Sequence, residues 1–221
     1  MMLFVSLGAW CQVSYQLKKH CGEQFISSAF DWLVTPLHSV SKIFDTNGDS
    51  FAQDIFIGDP SKSVECKKYG VLYHHEYRKG QDKISIIEDD KTSNAREKLE
   101  YKHKKMVDTL KKTEEEVIFI RFGGHALPAA AWPYMKDREH ISSEQLNQLP
   151  ISIQKALPNL RFRIILIRDA QYMNSDIETQ ELDNRFSFLH VERGEKPRWE
   201  GSDAHWMELI NKIQSPVEAL A

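Results

Sequence analysis

An α/β fold is predicted: a mostly parallel sheet with helices on both faces, and an inserted hairpin plus long helix in the middle. Three observations carry that expectation. Val117–Phe122, Phe162–Ile167 and Phe186–Val191 are continuous or near-continuous apolar runs, the pattern of strands covered on both faces. A helical pattern separates the first two, and another follows the last. The chain also opens in the same way: a short apolar strand at Leu3–Leu7 gives way after Gly8 to Trp10, Val13 and Leu17 at helical spacing. Strand and helix alternating like this argue for parallel pairing.

Taken in order, the first helix ends on Lys18, Lys19 and His20, which suit its C-terminal dipole, with Gly22 just beyond. A second helix starts at Thr35-Pro36, a cap followed by proline, buries Leu37, Val40, Ile43 and Phe44, and stops near Asn47-Gly48. Gly70–Tyr77 and Lys83–Ile87 read as a strand pair with Arg78–Asp82 as the turn. Asn94–Thr113 is a long charged helix with Ala95, Leu99, Met106 and Leu110 inward, its charges facing water. Ser143 caps a helix carrying Leu146, Leu149, Ile153 and Leu157, interrupted or kinked at Pro150. Ser202 caps a last helix with Trp206, Leu209, Ile210 and Ile213 on one stripe.

The 221 residues, 41% hydrophobic and 28% charged, fit a single globular domain over 1–221 and exclude wholesale disorder. With 29 basic against 32 acidic residues, net −3, nothing draws the chain as a whole toward nucleic acid or an anionic membrane. No apolar run has bilayer-spanning length, and the N-terminal residues lack the basic stretch of a secretory signal. Three cysteines are too few for a disulfide framework, so a reducing, cytoplasmic setting is expected. Walker A, Gly-x-Gly-x-x-Gly, Cys-x-x-Cys, His-Glu-x-x-His and Gly-x-Ser-x-Gly patterns are all missing. That weighs against a nucleotide-dependent ATPase, a simple dehydrogenase, a zincin and a serine esterase. Cys66, His74 and His75 lack any standard ligand spacing, so no metal is expected.

Chemistry concentrates in Ser6-Leu7-Gly8-Ala9-Trp10-Cys11-Gln12, which sets a cysteine beyond a strand end, after a glycine turn, in the first turn of a helix. Ligands of parallel sheets bind at that edge. Helix N–H groups lower a thiol pKa, and those near Gly8 or Gln12 suit a developing oxyanion. A thiol needs a base. His74-His75 is an adjacent pair at a strand end, and His75 is favoured because it shares a face with Tyr73 and Tyr77. Asp31, between Phe30 and Trp32, is either a structural hydrogen-bond hub or the orienter of a histidine. Gly123-Gly124-His125 follows the strand ending at Phe122, where flexible backbone can approach a substrate. Asp203-Ala204-His205 opens the last helix, either as a routine first-turn acid beside the core or as a late-supplied base.

Ser6-Leu7-Gly8-x-x-Cys11-Gln12, Phe30-Asp31-Trp32 ahead of Thr35-Pro36, and Tyr73-His74-His75 together resemble a bacterial domain family of uncharacterised function described as papain-like cysteine peptidases. The resemblance spans roughly residues 3–125 and implies a thiol nucleophile at Cys11, a histidine partner at His74 or His75, and a role for Asp31. The expected function is thus a cysteine-dependent enzyme acting on an acyl or amide bond of a peptide, amide or acyl substrate, with no cofactor. The Gly-x-x-Cys-Gln opening is also similar to polysaccharide-biosynthesis enzymes thought to bind coenzyme A. An acyl-coenzyme A-dependent acyltransferase is therefore the alternative, and a non-catalytic binding protein with a degenerate site is the third.

Overall fold

Strand β9 (Glu116–Phe122) shows why the sheet is covered twice. Val117 and Phe119 point into one apolar cluster, while Ile118, Ile120 and Phe122 point into another. In a computed structural model describing residues 1–58, 63–73, 75–82, 85–87, 89, 93–122, 141–169, 182–191 and 199–215, β9 lies at the centre of five strands. Its partners are β1 (Met2–Ser6), β2 (Phe25–Ile26), β10 (Phe162–Asp169) and β11 (Phe186–Val191), in the order β11-β10-β9-β1-β2. Every pairing in this sheet is parallel. Helices α1 (Cys11–Cys21) and α5 (Asp203–Gln214) cover one face through Val13, Leu17, Trp206 and Ile210. Helices α2 (Leu37–Asp45), α3 (Ala95–Leu110) and α4 (Ser143–Ala156) cover the other through Phe44, Met106 and Ile153. Removing one fully buried ring here, as in Phe119→Ala, costs about 3–5 kcal/mol in a well-packed core.

From β1 the chain winds outward to β2, then returns to β9 on the other side of β1. That reversal is a topological switch point. In parallel sheets ligands bind beyond the carboxyl ends of the strands at such a point.

The remaining strands are short. β3 (Leu33–Val34), β4 (Ile55–Ile57), β5 (Val64–Cys66) and β6 (Leu72–Tyr73) form an antiparallel sheet in the order β3-β6-β5-β4. The expected strand pair is therefore corrected. Leu72–Tyr73 belongs to this sheet, whereas Arg78–Lys79, expected in the turn, forms β7 and pairs with β8 (Ile86–Ile87). The turn moves because Gly80 N donates to Ser85 O and the Asp82 carboxylate accepts from the Ser85 amide and hydroxyl, closing the loop further along.

Two helix starts also shift. Thr35 is held extended, its amide on Ala9 O and its carbonyl on Arg121, so α2 begins at Leu37 with Pro36 as cap. Ser142, not Ser143, caps α4 by accepting from Gln145 N, and the helix runs on through Pro150 as one element. Among the described residues, no helix is long and apolar enough to cross a membrane.

Candidate functional site

The carboxyl edge of the sheet is occupied by the turn from β1 into α1. Ser6, fully buried, accepts the Gly8 amide on its hydroxyl at 3.1 Å and ends the strand. Gly8 has φ +77°, and a Cβ there would sit 3.2 Å from Thr35 Oγ1, so glycine is required by conformation and by space. Ala9 also adopts positive φ (46°), which turns the chain so that Trp10 caps α1 and Cys11 is its first residue. No side chain caps this end and its first turn holds no acid. The N–H groups of the first turn are thus left without a side-chain cap.

A clamp fixes that turn. Ser28 caps the 3-10 turn Ala29–Trp32 in a capping box: its hydroxyl accepts from Phe30 N, and Asp31 Oδ2 accepts the Ser28 amide at 3.0 Å. Asp31 Oδ2 also takes the Ser27 hydroxyl at 2.5 Å. The Ser28 hydroxyl lies 3.1 Å from both Asp31 Oδ1 and Ser6 O. Ser14, one turn into α1, reaches Cys11 O and the Asp31 carbonyl. The Ser-Leu-Gly and Phe-Asp-Trp segments are thus two halves of one hydrogen-bonded unit beneath Cys11. Asp31 is only 3% exposed, and burial raises its pKa against the pull of its serine partners.

Cys11 is half-buried. Burial pushes its thiol pKa up, its own backbone amide pulls it down, and the charge of Glu200 adds to the rise. Burial thus works against the thiolate expected at an open helix end. Cys66 is buried and donates to Gln53 O at 3.2 Å. Among the described residues, no group of three His, Cys, Asp or Glu could hold a metal ion.

Of the candidate histidines, His75 is exposed, with its ring edge-on to Trp32 at 5.5 Å. It does not share a face with its neighbours. Strand β6 ends at Tyr73, so alternation stops there; Tyr73 and Tyr77 stack in the core at 5.4 Å while His75 turns out. Trp10 packs on Val34 and Leu72, which ties the β3–β6 end to the start of α1. No imidazole among the described residues hydrogen-bonds the Cys11 thiol. His74, Gly124 and His125 lie outside the described residues. His205 is half-buried in the first turn of α5. Asp203 faces α1, bonded to Lys19 Nζ at 2.5 Å and Gln16 Nε2 at 3.2 Å, and Lys19 holds its pKa below the usual range.

A family model described as Putative papain-like cysteine peptidase (DUF1796) matches residues 2–171. The chain belongs to this family. No curated protein and no solved structure matches it. The family match takes in the clamp, Cys11 and the β6 end, so the expected resemblance is confirmed over most of the chain.

Two features escaped the sequence reading. Arg121, 2% exposed at the carboxyl end of β9, donates to Leu7 O at 2.9 Å and Thr35 O at 2.5 Å, so one guanidinium holds both sides of the Cys11 loop. Its signal was a charge inside an otherwise apolar strand. The second is Trp199-Glu200-Gly201, which lies along α1. The Trp199 ring meets Tyr15 at 5.2 Å, Glu200 O accepts from Gln16 at 2.7 Å, and Gly201 (φ +78°) leaves room for Gln12. Only the tertiary fold brings these together.

Proposed function

We propose that the chain is a cysteine-dependent enzyme acting on an acyl or amide bond, with Cys11 as nucleophile. The observation that carries this is the place of Cys11: first residue of an uncapped helix, at the switch point of a parallel sheet, on a turn held by Ser6, Asp31 and Arg121. Membership of the papain-like family supports a peptide or amide substrate.

The base is His74 or His75, with His75 preferred, since Trp10 ties the end of β6 to α1 and Trp32 meets the His75 ring. With burial raising the thiol pKa, proton transfer to the imidazole accompanies attack. The S–C bond forms as the carbonyl electron pair moves to oxygen, where the free N–H groups of the first α1 turn stabilise it. Collapse expels the amine, which takes the proton from the imidazolium, and water then cleaves the thioester. Asp31 acts as a positioning residue. Both its oxygens are engaged by Ser27 and Ser28. Three free cysteines support a reducing compartment.

The test is intact-mass detection of an acyl-enzyme after mixing with a p-nitrophenyl ester. A one-acyl adduct located on Cys11, lost in Cys11→Ala but kept in Cys21→Ala, supports the reading. Adducts elsewhere, or none, overturn it. Coenzyme A is expected to leave Tm unchanged; stabilisation growing with its concentration favours acyl transfer instead.

A further inference from the structure

Four side chains of α1 at positions 12, 15, 16 and 19 meet the segment 199–203. Gln12 lies against Gly201, Tyr15 against Trp199, Gln16 against Glu200 O and Asp203, and Lys19 against Asp203. Cys11 and Tyr15 are four apart, hence on one face of the helix, one turn from each other. The Tyr15–Trp199 contact is an edge-type pair (61° between planes), and Trp199 leaves 54% of its surface to water. An exposed ring of this kind offers a face on which a cation or another ring can stack.

Charge defines what that is. Lys19 is neutralised by Asp203 at 2.5 Å. Glu200, half-buried, uses its backbone carbonyl to hold Gln16, while its carboxylate enters no ion pair or hydrogen bond among the described residues. Its charge is nonetheless felt at the Cys11 thiol. Glu200 and Asp203 both act on Lys19 and together outnumber it, so a net negative charge lies at the segment that carries the Tyr15–Trp199 pair: carboxylate for charge, ring faces for the cation–π contact, the composition that selects a cation. Trp206 supports a polar wall here. It is 1% exposed with its indole N–H unpartnered, and that nitrogen lies near Gly201 and the Gln12 amide.

From this juxtaposition we infer that Tyr15, Trp199 and Glu200 form a cation-selective subsite one helical turn from Cys11, so that the preferred substrate carries a positively charged group, such as an amine or guanidinium, next to the bond attacked. The inference deepens the reading of Cys11 as nucleophile and rests on it. Placement beside the Cys11 thiol also gives the subsite a kinetic role, because an incoming cation offsets the carboxylate that opposes thiolate formation.

The experiment uses the thiol as its own reporter. The full chain is treated at low ionic strength with three methanethiosulfonates: trimethylammonioethyl (cationic), sulfonatoethyl (anionic) and the smaller methyl reagent (neutral). In each case the thiolate attacks the sulfenyl sulfur, a disulfide forms and methanesulfinate leaves. Modification of the Cys11 peptide is followed by mass spectrometry, with rates normalised to those of 2-mercaptoethanol. The normalised cation-to-anion rate ratio is expected to be about tenfold, shrinking as salt is added. Glu200→Gln brings the ratio near one. Trp199→Ala slows the cationic reagent alone, by about two- to fivefold. A ratio near one in the native chain, or a preference that survives Glu200→Gln, overturns the subsite and leaves Cys11 standing. Failure of Cys11 to react even with the neutral reagent overturns the nucleophile reading, and the subsite with it.

Discussion

Cys11 and His103 are both titratable groups that burial drives toward their neutral forms, yet their surroundings differ. Cys11 stands half-buried at a helix end that no side chain caps, with Ser14 one turn on and Glu200 acting on its thiol. His103 is 0% exposed, ringed by Phe30, Phe44 and Phe51 at centroid distances of 6.2, 5.8 and 6.0 Å, with both ring nitrogens unpartnered. Gly48 presses on it so closely that a Cβ would lie 2.9 Å from the imidazole. The first group has access and geometry; the second has neither. A shifted pKa marks burial. Only an approach route and nearby polar groups turn it into a site.

The largest expected effect lies in the sealed cage. Burial lowers the His103 pKa from 6.5 to about 4. The unfolded chain therefore takes up the proton first, and stability present above pH 6.5 is lost as pH falls toward 4, by on the order of 3 kcal/mol. Chemical denaturation between pH 7 and 4 checks this, and His103→Leu should flatten the profile. A flat profile in the native chain would mean that the ring finds a partner or water.

Next comes the open group. Alkylation of Cys11 is expected to rise with pH to a midpoint above 9.0, and to outpace that of Cys21, whose buried thiol is pushed up to about 12. Access and thiolate fraction act together in that difference. Glu200→Gln is expected to lower the Cys11 midpoint, because the carboxylate raises it. A midpoint below 8 in the native chain would restore the preformed thiolate.

A smaller effect is expected at the turn itself. Gly8→Ala forces a side chain into positive φ against Thr35 and should cost about 1–2 kcal/mol in urea denaturation. Smallest of all is Asp203→Asn, which loosens an exposed ion pair and is expected to leave Tm unchanged.

The parts of this contrast that the sequence disclosed are those written in long patterns. The apolar strands Val117–Phe122 and Phe162–Ile167 and the helical stripe ending in Ile213 are each long enough for periodicity to declare them. Gly8 followed by a helical spacing located Cys11 at a sheet edge. Strands β2 to β8 hold two or three residues apiece, too few for a period of two to show, so the antiparallel sheet was not foreseen. His103 sits between Leu99 and Met106 on the inward stripe of α3, where its charge-bearing type hid its burial. The Glu200 wall was out of reach for another reason: its contact with Gln16 joins positions 184 residues apart.

That separation has a consequence for truncation. The 199–203 segment and α5 cover α1 through contacts such as Gln16 with Glu200 O, made from 184 residues away. A chain cut before Trp199 would bare Val13 and Leu17 to water, and is expected to aggregate or unfold before its chemistry is tested.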